Sequence, residues 1–232
     1  MRRLLVLLCL LQTITAAETK GPRTCRILFL GAPQGAPETL QLFDGTACQP
    51  VELPRMSFSP VYHLPAGDLV LRLLTTPPLK PEEVDPTAPK ASIAAAITDF
   101  YLILNSDPAN KSVPVRMQII DADAAKFKAG QMLWFNLTPN SVGGQVGREQ
   151  LAMAPNSRVI LNAPATGNDD YKVNLSFRLP GSDVLYPLCE TNWSFDPRSR
   201  TVQFVIVQEG SRTPRVLGFP DYRIEEKKEA QP

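Results

Sequence analysis

The chain has 232 residues, 44% of them hydrophobic, with 23 prolines, 13 glycines and a formal net charge of +1. That is enough apolar material for one large domain or two small ones, whereas this many prolines would break most long helices. A near-neutral surface excludes a general electrostatic affinity for nucleic acid, which a basic face would have to supply.

The first seventeen residues read as a secretory signal peptide. Arg2 and Arg3 precede the apolar run Leu4 to Leu11, and Thr15, Ala16 and Ala17 supply a small-residue cleavage site after Ala17. The run is too short for a membrane anchor, which takes about 20 residues. Cleavage leaves 22 basic against 23 acidic residues and implies a periplasmic, surface or extracellular location. Three cysteines remain. Export permits disulfides; Cys25 and Cys48 flank one hairpin-like unit and form the favoured pair, with Cys189 left as a free thiol. All three staying reduced is the alternative.

Cys25 to Leu30 is the first strand. Gly31 to Pro37 is a loop, Thr39 to Phe43 a second strand ended by Asp44-Gly45, and Gln49 to Leu53 a third stopped by Pro54. Ser57 to Leu74 reads as strand, turn, strand, with Pro65 and Gly67 supplying the backbone angles of a hairpin connection. These segments are expected to form an N-terminal β domain over 25–75. Residues 76–92 hold Pro77, Pro78, Pro81, Pro86 and Pro89, a composition that favours an extended linker.

Strands resume at Asp99 to Asn105, Val113 to Ile120 and Gln131 to Thr138, with one helical turn at Asp121 to Lys128. Val142 to Val146, Arg158 to Asn162, Tyr171 to Leu179, Val184 to Phe195 and Thr201 to Gln208 follow. Strict alternation from Tyr171 to Leu179 predicts one buried and one wet face. Val202, Phe204 and Ile206 against Thr201, Gln203 and Gln208 predict nearly the same. The expected fold is all-β: two small antiparallel β-sandwiches, immunoglobulin- or transthyretin-like, the second over 93–224, and a charged flexible tail over 225–232. Tyr62 to Leu71 and Leu151 to Leu161 share a shape (apolar, turn with proline, apolar strand) that suggests a duplicated module.

Gly31-Ala-Pro-Gln-Gly-Ala-Pro37, then Asp44-Gly45, then Leu64-Pro-Ala-Gly67 before an apolar strand, resembles a family of exported bacterial β-sandwich domains without an agreed activity. The resemblance covers about 26–74. It implies a cell-envelope or secreted β-sandwich and points to no catalytic residue.

No constellation for bond-breaking stands out. His63 is the sole histidine, and no Gly-x-Ser-x-Gly accompanies it. One histidine excludes the common multi-histidine zinc sites. Asp121 with Asp123, and Asn168 with Asp169 and Asp170, are the best oxygen clusters for calcium, but turns and helix starts want the same residues. Trp134 and Trp193 could stack on sugars, although apolar strand contexts favour core packing. Asn110, Asn136, Asn174 and Asn192 head glycosylation patterns, which the resemblance to bacterial domains implies are incidental. No catalytic, metal or cofactor site is expected. The leading expectation is a non-enzymatic exported interaction or structural module that engages a protein partner through an exposed strand edge, with Val113-Pro114 and residues 57–60 as candidate edges. The alternatives are a carbohydrate-binding or glycan-active protein, and a pilus-type chaperone or subunit.

Overall fold

A computed structural model of the chain describes residues 23–207, 211 and 213–222; the expected signal peptide and charged tail lie outside them. The described residues form sixteen strands: β1 (Arg23–Phe29), β2 (Thr39–Phe43), β3 (Cys48–Glu52), β4 (Tyr62–Leu64), β5 (Leu69–Leu74), β6 (Lys90–Ile93), β7 (Asp99–Ser106), β8 (Val115–Asp121), β9 (Met132–Asn136), β10 (Ser141–Val146), β11 (Glu149–Met153), β12 (Arg158–Leu161), β13 (Asp170–Arg178), β14 (Tyr186–Ser194), β15 (Ser199–Val207) and β16 (Pro214–Tyr222).

They build four four-stranded sheets. In the first half an inner sheet runs β4-β1-β7-β8 and an outer sheet β3-β2-β5-β6; in the second half the inner sheet runs β12-β9-β15-β16 and the outer β11-β10-β13-β14. Adding eight to each strand of the first half gives the second. The correspondence extends to direction: β1 and β7 are parallel, as are β9 and β15, and the other pairs are antiparallel. The chain is therefore two β-sandwiches with one strand order. The repeat suggested by the sequence is in a different phase, however: 62–71 covers β4 and β5, whose counterparts are β12 and β13, not β11 and β12.

The sandwiches are joined through residues 122–131, and the expected linker at 76–92 is internal to the first. Its prolines interrupt pairing without ending the domain. The segment makes one turn of 3-10 helix at Pro81–Glu83, and Asp85 caps the N–H of Thr87. β6 then pairs with β5, and β7 joins β1. The expected hairpin at 57–74 is also corrected. Its turn forms, with Gly67 at φ 95°, but β4 pairs with β1 while β5 pairs with β2 and β6, so the turn crosses between sheets. Apolar alternation sets which face a strand buries and leaves its neighbour open.

Burial explains the sequence pattern. One core lies between the first two sheets, with Ile27, Leu102 and Leu71 at its centre. Another, between the second two, contains Trp134, Val173 and Leu175. A third joins the inner sheets to each other: Leu28, Tyr101 and Ile103 pack with Phe135, Val202 and Phe204. The inner sheets are thus covered on both sides, which is why β1, β7, β9 and β15 read as near-continuous apolar runs. β13, in an outer sheet, keeps the expected alternation. The wet face expected on β15 is instead turned to the second core, and Gln203 is only 4% exposed.

Charge is buried at the join as well. Asp221 accepts hydrogen bonds from the Arg26 guanidinium, from Arg200 Nε at 3.1 Å and from the Tyr101 hydroxyl at 2.5 Å. Arg200 also donates to the carbonyls of Ala122 (2.6 Å) and Phe127 (2.9 Å) and to Asp99 at 3.2 Å. One guanidinium therefore ties the second sandwich to the first and to the connection between them. Each charge has an opposite charge and directed hydrogen bonds, the condition under which a buried pair is tolerated.

A candidate ligand-binding cleft in the second sandwich

The cleft, of about 370 Å³, opens where the end strands β14 and β16 of the second sandwich approach each other. β14 brings Trp193 to its wall, β13 brings Tyr171, and the turn after β14 brings Phe195 and Asp196. β15 presents Thr201 and Gln203, and β16 presents Gly218 and Tyr222. No lysine, arginine or histidine lines it among the described residues.

The aromatic wall is held by its neighbours. Trp193 stacks on Trp134 with ring centroids 6.1 Å apart and meets Tyr171 edge-on at 6.2 Å. Trp134 itself is fully buried, as its apolar strand context led one to expect, so it supports Trp193 and offers no platform to a ligand. Burial pushes the Tyr171 phenol up to about 12. Asp196 is fixed by its own turn: it accepts from the backbone N–H of Arg198 at 2.9 Å and forms a two-armed pair with the Arg198 guanidinium at 3.0 and 2.8 Å. Those bonds from Arg198 hold the carboxyl down at about 2.

Gln203 is the polar group of the lining that has an unpartnered buried atom among the described residues; Trp134 Nε1 behind the wall and Arg23 Nη1 in the first sandwich are the others. Gln203 is buried, yet its Oε1 has no hydrogen-bond partner among the described residues. Its side chain lies over Gly218, where a Cβ would stand 2.6 Å from Oε1 and 2.9 Å from Nε2. Glycine at 218 thus leaves space for the amide. Leaving a buried acceptor unpaired costs about 1–3 kcal/mol, and most buried polar groups avoid it. The sequence carried a signal for this residue: one glutamine interrupts the apolar run Val202-Gln203-Phe204-Val205-Ile206.

The other candidates take structural positions. His63 is exposed on the end strand β4, beside Thr24. Asp121 accepts the N–H of Asp123 and pairs with Lys126, and Asp123 accepts the N–H of Ala125, so both organise the turn after β8. Asp170 accepts from the Ser194 hydroxyl, and the Asp169 carbonyl from the N–H of Phe195. Among the described residues no group of three or more histidine, cysteine or acidic side chains is placed to hold a metal. Cys25 is buried in the first core, while Cys48 on β3 packs beside Phe43, Leu74 and Ala88 and keeps its thiol. The favoured Cys25–Cys48 bridge is therefore not formed, because the two lie on different sheets in different clusters. Cys189 is a half-buried thiol on β14. Asn136 is buried, its amide donating to the carbonyls of Asn140 and Ala154.

The expected edges at 57–60 and Val113 are covered. Phe58 stacks on Tyr101 at 4.5 Å, Ser59 bonds to Ile27, and Val113 is in the first core. Two nine-residue strands end their sheets, β14 and β16, and β14 is the more exposed of the two. No protein-family model and no curated protein matches this chain.

Proposed function

We propose that this chain is an exported, non-enzymatic interaction module that recruits a protein partner by strand addition along β14. The observation that carries this reading is the edge itself. β14 is nine residues long, ends its sheet and is exposed over most of its length. Its counterpart β6 has four residues. Natural sheets blunt their edges with short strands, prolines, bulges or lysines. β14 has a register shift at Leu188, opposite Leu175 and Ser176, and Pro187, at one end; from Cys189 to Ser194 it has none of these, and Glu190 is its one charge there. An extended partner segment would satisfy that open backbone, with side-chain pockets supplying selectivity. Export rests on the basic start at Arg2 and Arg3 and the apolar run after it, which places the mature N-terminus at Glu18.

A photo-cross-linking residue at Thr191 on β14, with one at Ser92 on β6 as control, tests the reading in cells that make the protein. A discrete adduct from Thr191 and none from Ser92 is expected. No adduct at Thr191, or the same adduct at both positions, would overturn it. N-terminal sequencing of the exported protein checks the cleavage site.

A further inference from the structure

We infer that the cleft between β14 and β16 is a binding site for a neutral saccharide; it shares Trp193 and Ser194 with the strand edge but uses side chains, where strand addition uses backbone. Gln203 lines the cleft, and its Oε1 and the Nε1 of its neighbour Trp134 are buried without partners among the described residues; both atoms are closed to solvent as they stand, so a ligand hydroxyl reaches the Oε1 by turning the amide about its terminal bond, which exchanges Oε1 with Nε2. The aromatic wall of Trp193 and Tyr171 suits a ring with an apolar C–H face. The lining has hydroxyls at Ser199 and Thr201 and an amide at Gln203, but no cationic side chain. That disfavours phosphates and acidic sugars, which call for arginine or lysine. The Asp196 charge is already matched by Arg198, which weakens the case for a cation, and a quaternary ammonium has no hydrogen to give Gln203. Pockets that bind small molecules combine such an apolar surface with a few placed polar groups.

Gly218 belongs to the same design. A methyl at 218 would meet the amide end of Gln203 and displace it, with no backbone atom among the nearest contacts. The first sandwich holds the control arrangement: across β1, β7 and β8 the row Ile27, Leu102 and Ile119 is apolar throughout.

The two tryptophans, Trp134 and Trp193, are the only ones in the chain and both report on this cleft. Intrinsic fluorescence and calorimetry of the full chain should be recorded with cellotetraose, laminaritetraose and maltotetraose, and with choline and tetragalacturonate as comparison ligands. At least one neutral tetrasaccharide is expected to bind and shift the emission. Gln203→Leu and Gly218→Ala should each weaken it about tenfold or more, the loss of one good hydrogen bond, with far-UV circular dichroism unchanged. Trp193→Ala should abolish it. Binding of choline or tetragalacturonate alone, no binding by any tetrasaccharide, or undiminished binding by Gln203→Leu would overturn the inference. Cross-linking at Thr191 reads the strand-addition proposal separately, so either can fail without the other.

Discussion

The two halves of this protein share a strand order and differ in how they fill it. The inward residues of β7 are Phe100, Leu102 and Leu104, all buried. Those of β15, the corresponding strand, are Thr201, Gln203 and Val205. In the middle row the first half places Ile27, Leu102 and Ile119 side by side, whereas the second places Trp134, Gln203 and Gly218. The first arrangement closes a core. The second gives up apolar contact, buries an amide acceptor without a partner among the described residues and leaves a cleft at the strand ends. A fold can afford such a departure where it serves recognition, and a stable duplicate beside it shows what the same framework does without that demand.

The largest expected effect tests whether the halves behave as one body. Asp221→Ala removes the carboxylate shared by Arg26, Arg200 and Tyr101, takes from Arg26 its acidic partner at the join and leaves Arg200 with Asp99 alone, a loss of about 3–5 kcal/mol. Urea denaturation of the wild type is expected to show one transition, shifted to lower denaturant in the variant. Two separate transitions in the wild type would mean that the inner-sheet interface does not couple the sandwiches.

Next in size is Leu71→Ala in the first core. Leu71 is fully buried, and truncation should cost about 2–5 kcal/mol by transfer and cavity terms. Gly218→Ala should move stability by less than about 1 kcal/mol, because the nearest obstacle is the mobile end of Gln203. A loss as large as that of Leu71→Ala would show that position 218 is core.

The effect that is nil at neutral pH is a titration at high pH. Tyr171 is raised to about 12 by burial, against an ordinary value of about 10. A raised folded value means that its contribution is full below about pH 10 and is lost as pH climbs towards 12. Phenolate absorbance should show Tyr171 titrating late, and Tyr171→Phe should flatten the stability loss over that interval. An unchanged slope would assign it to other groups.

Much of this architecture was legible in the residues. Most strand positions followed from alternation and from turn residues such as Asp44-Gly45 and Pro65 with Gly67, but β6, β11 and β16 were not read as strands. Partner choice was not legible, since β4 and β5 look like a hairpin until Arg23 is seen donating across to Gly67, Ala94 and Ile97. The proline-rich 76–92 read as a linker because composition reports what a segment cannot pair with, not that β6 returns to β5 afterwards. The apolar runs Ile27 to Leu30 at the end of β1 and Phe100 to Leu104 in β7 did carry the stacked layers, as strands covered on both faces. Gln203 was visible as an interruption, but its loss of a partner depends on Gly218, fifteen positions away in sequence and directly opposite in the sheet.

The most direct measurement is the reciprocal pair Leu102→Gln and Gln203→Leu, each assessed by urea denaturation of the full chain. Leu102→Gln should lose several kcal/mol, about the cost of an unpaired amide plus lost packing, while Gln203→Leu should lose nothing or gain about 1 kcal/mol as the unpaired acceptor is removed. Equal destabilisation by both substitutions would contradict the reading of one row as core and the other as a site.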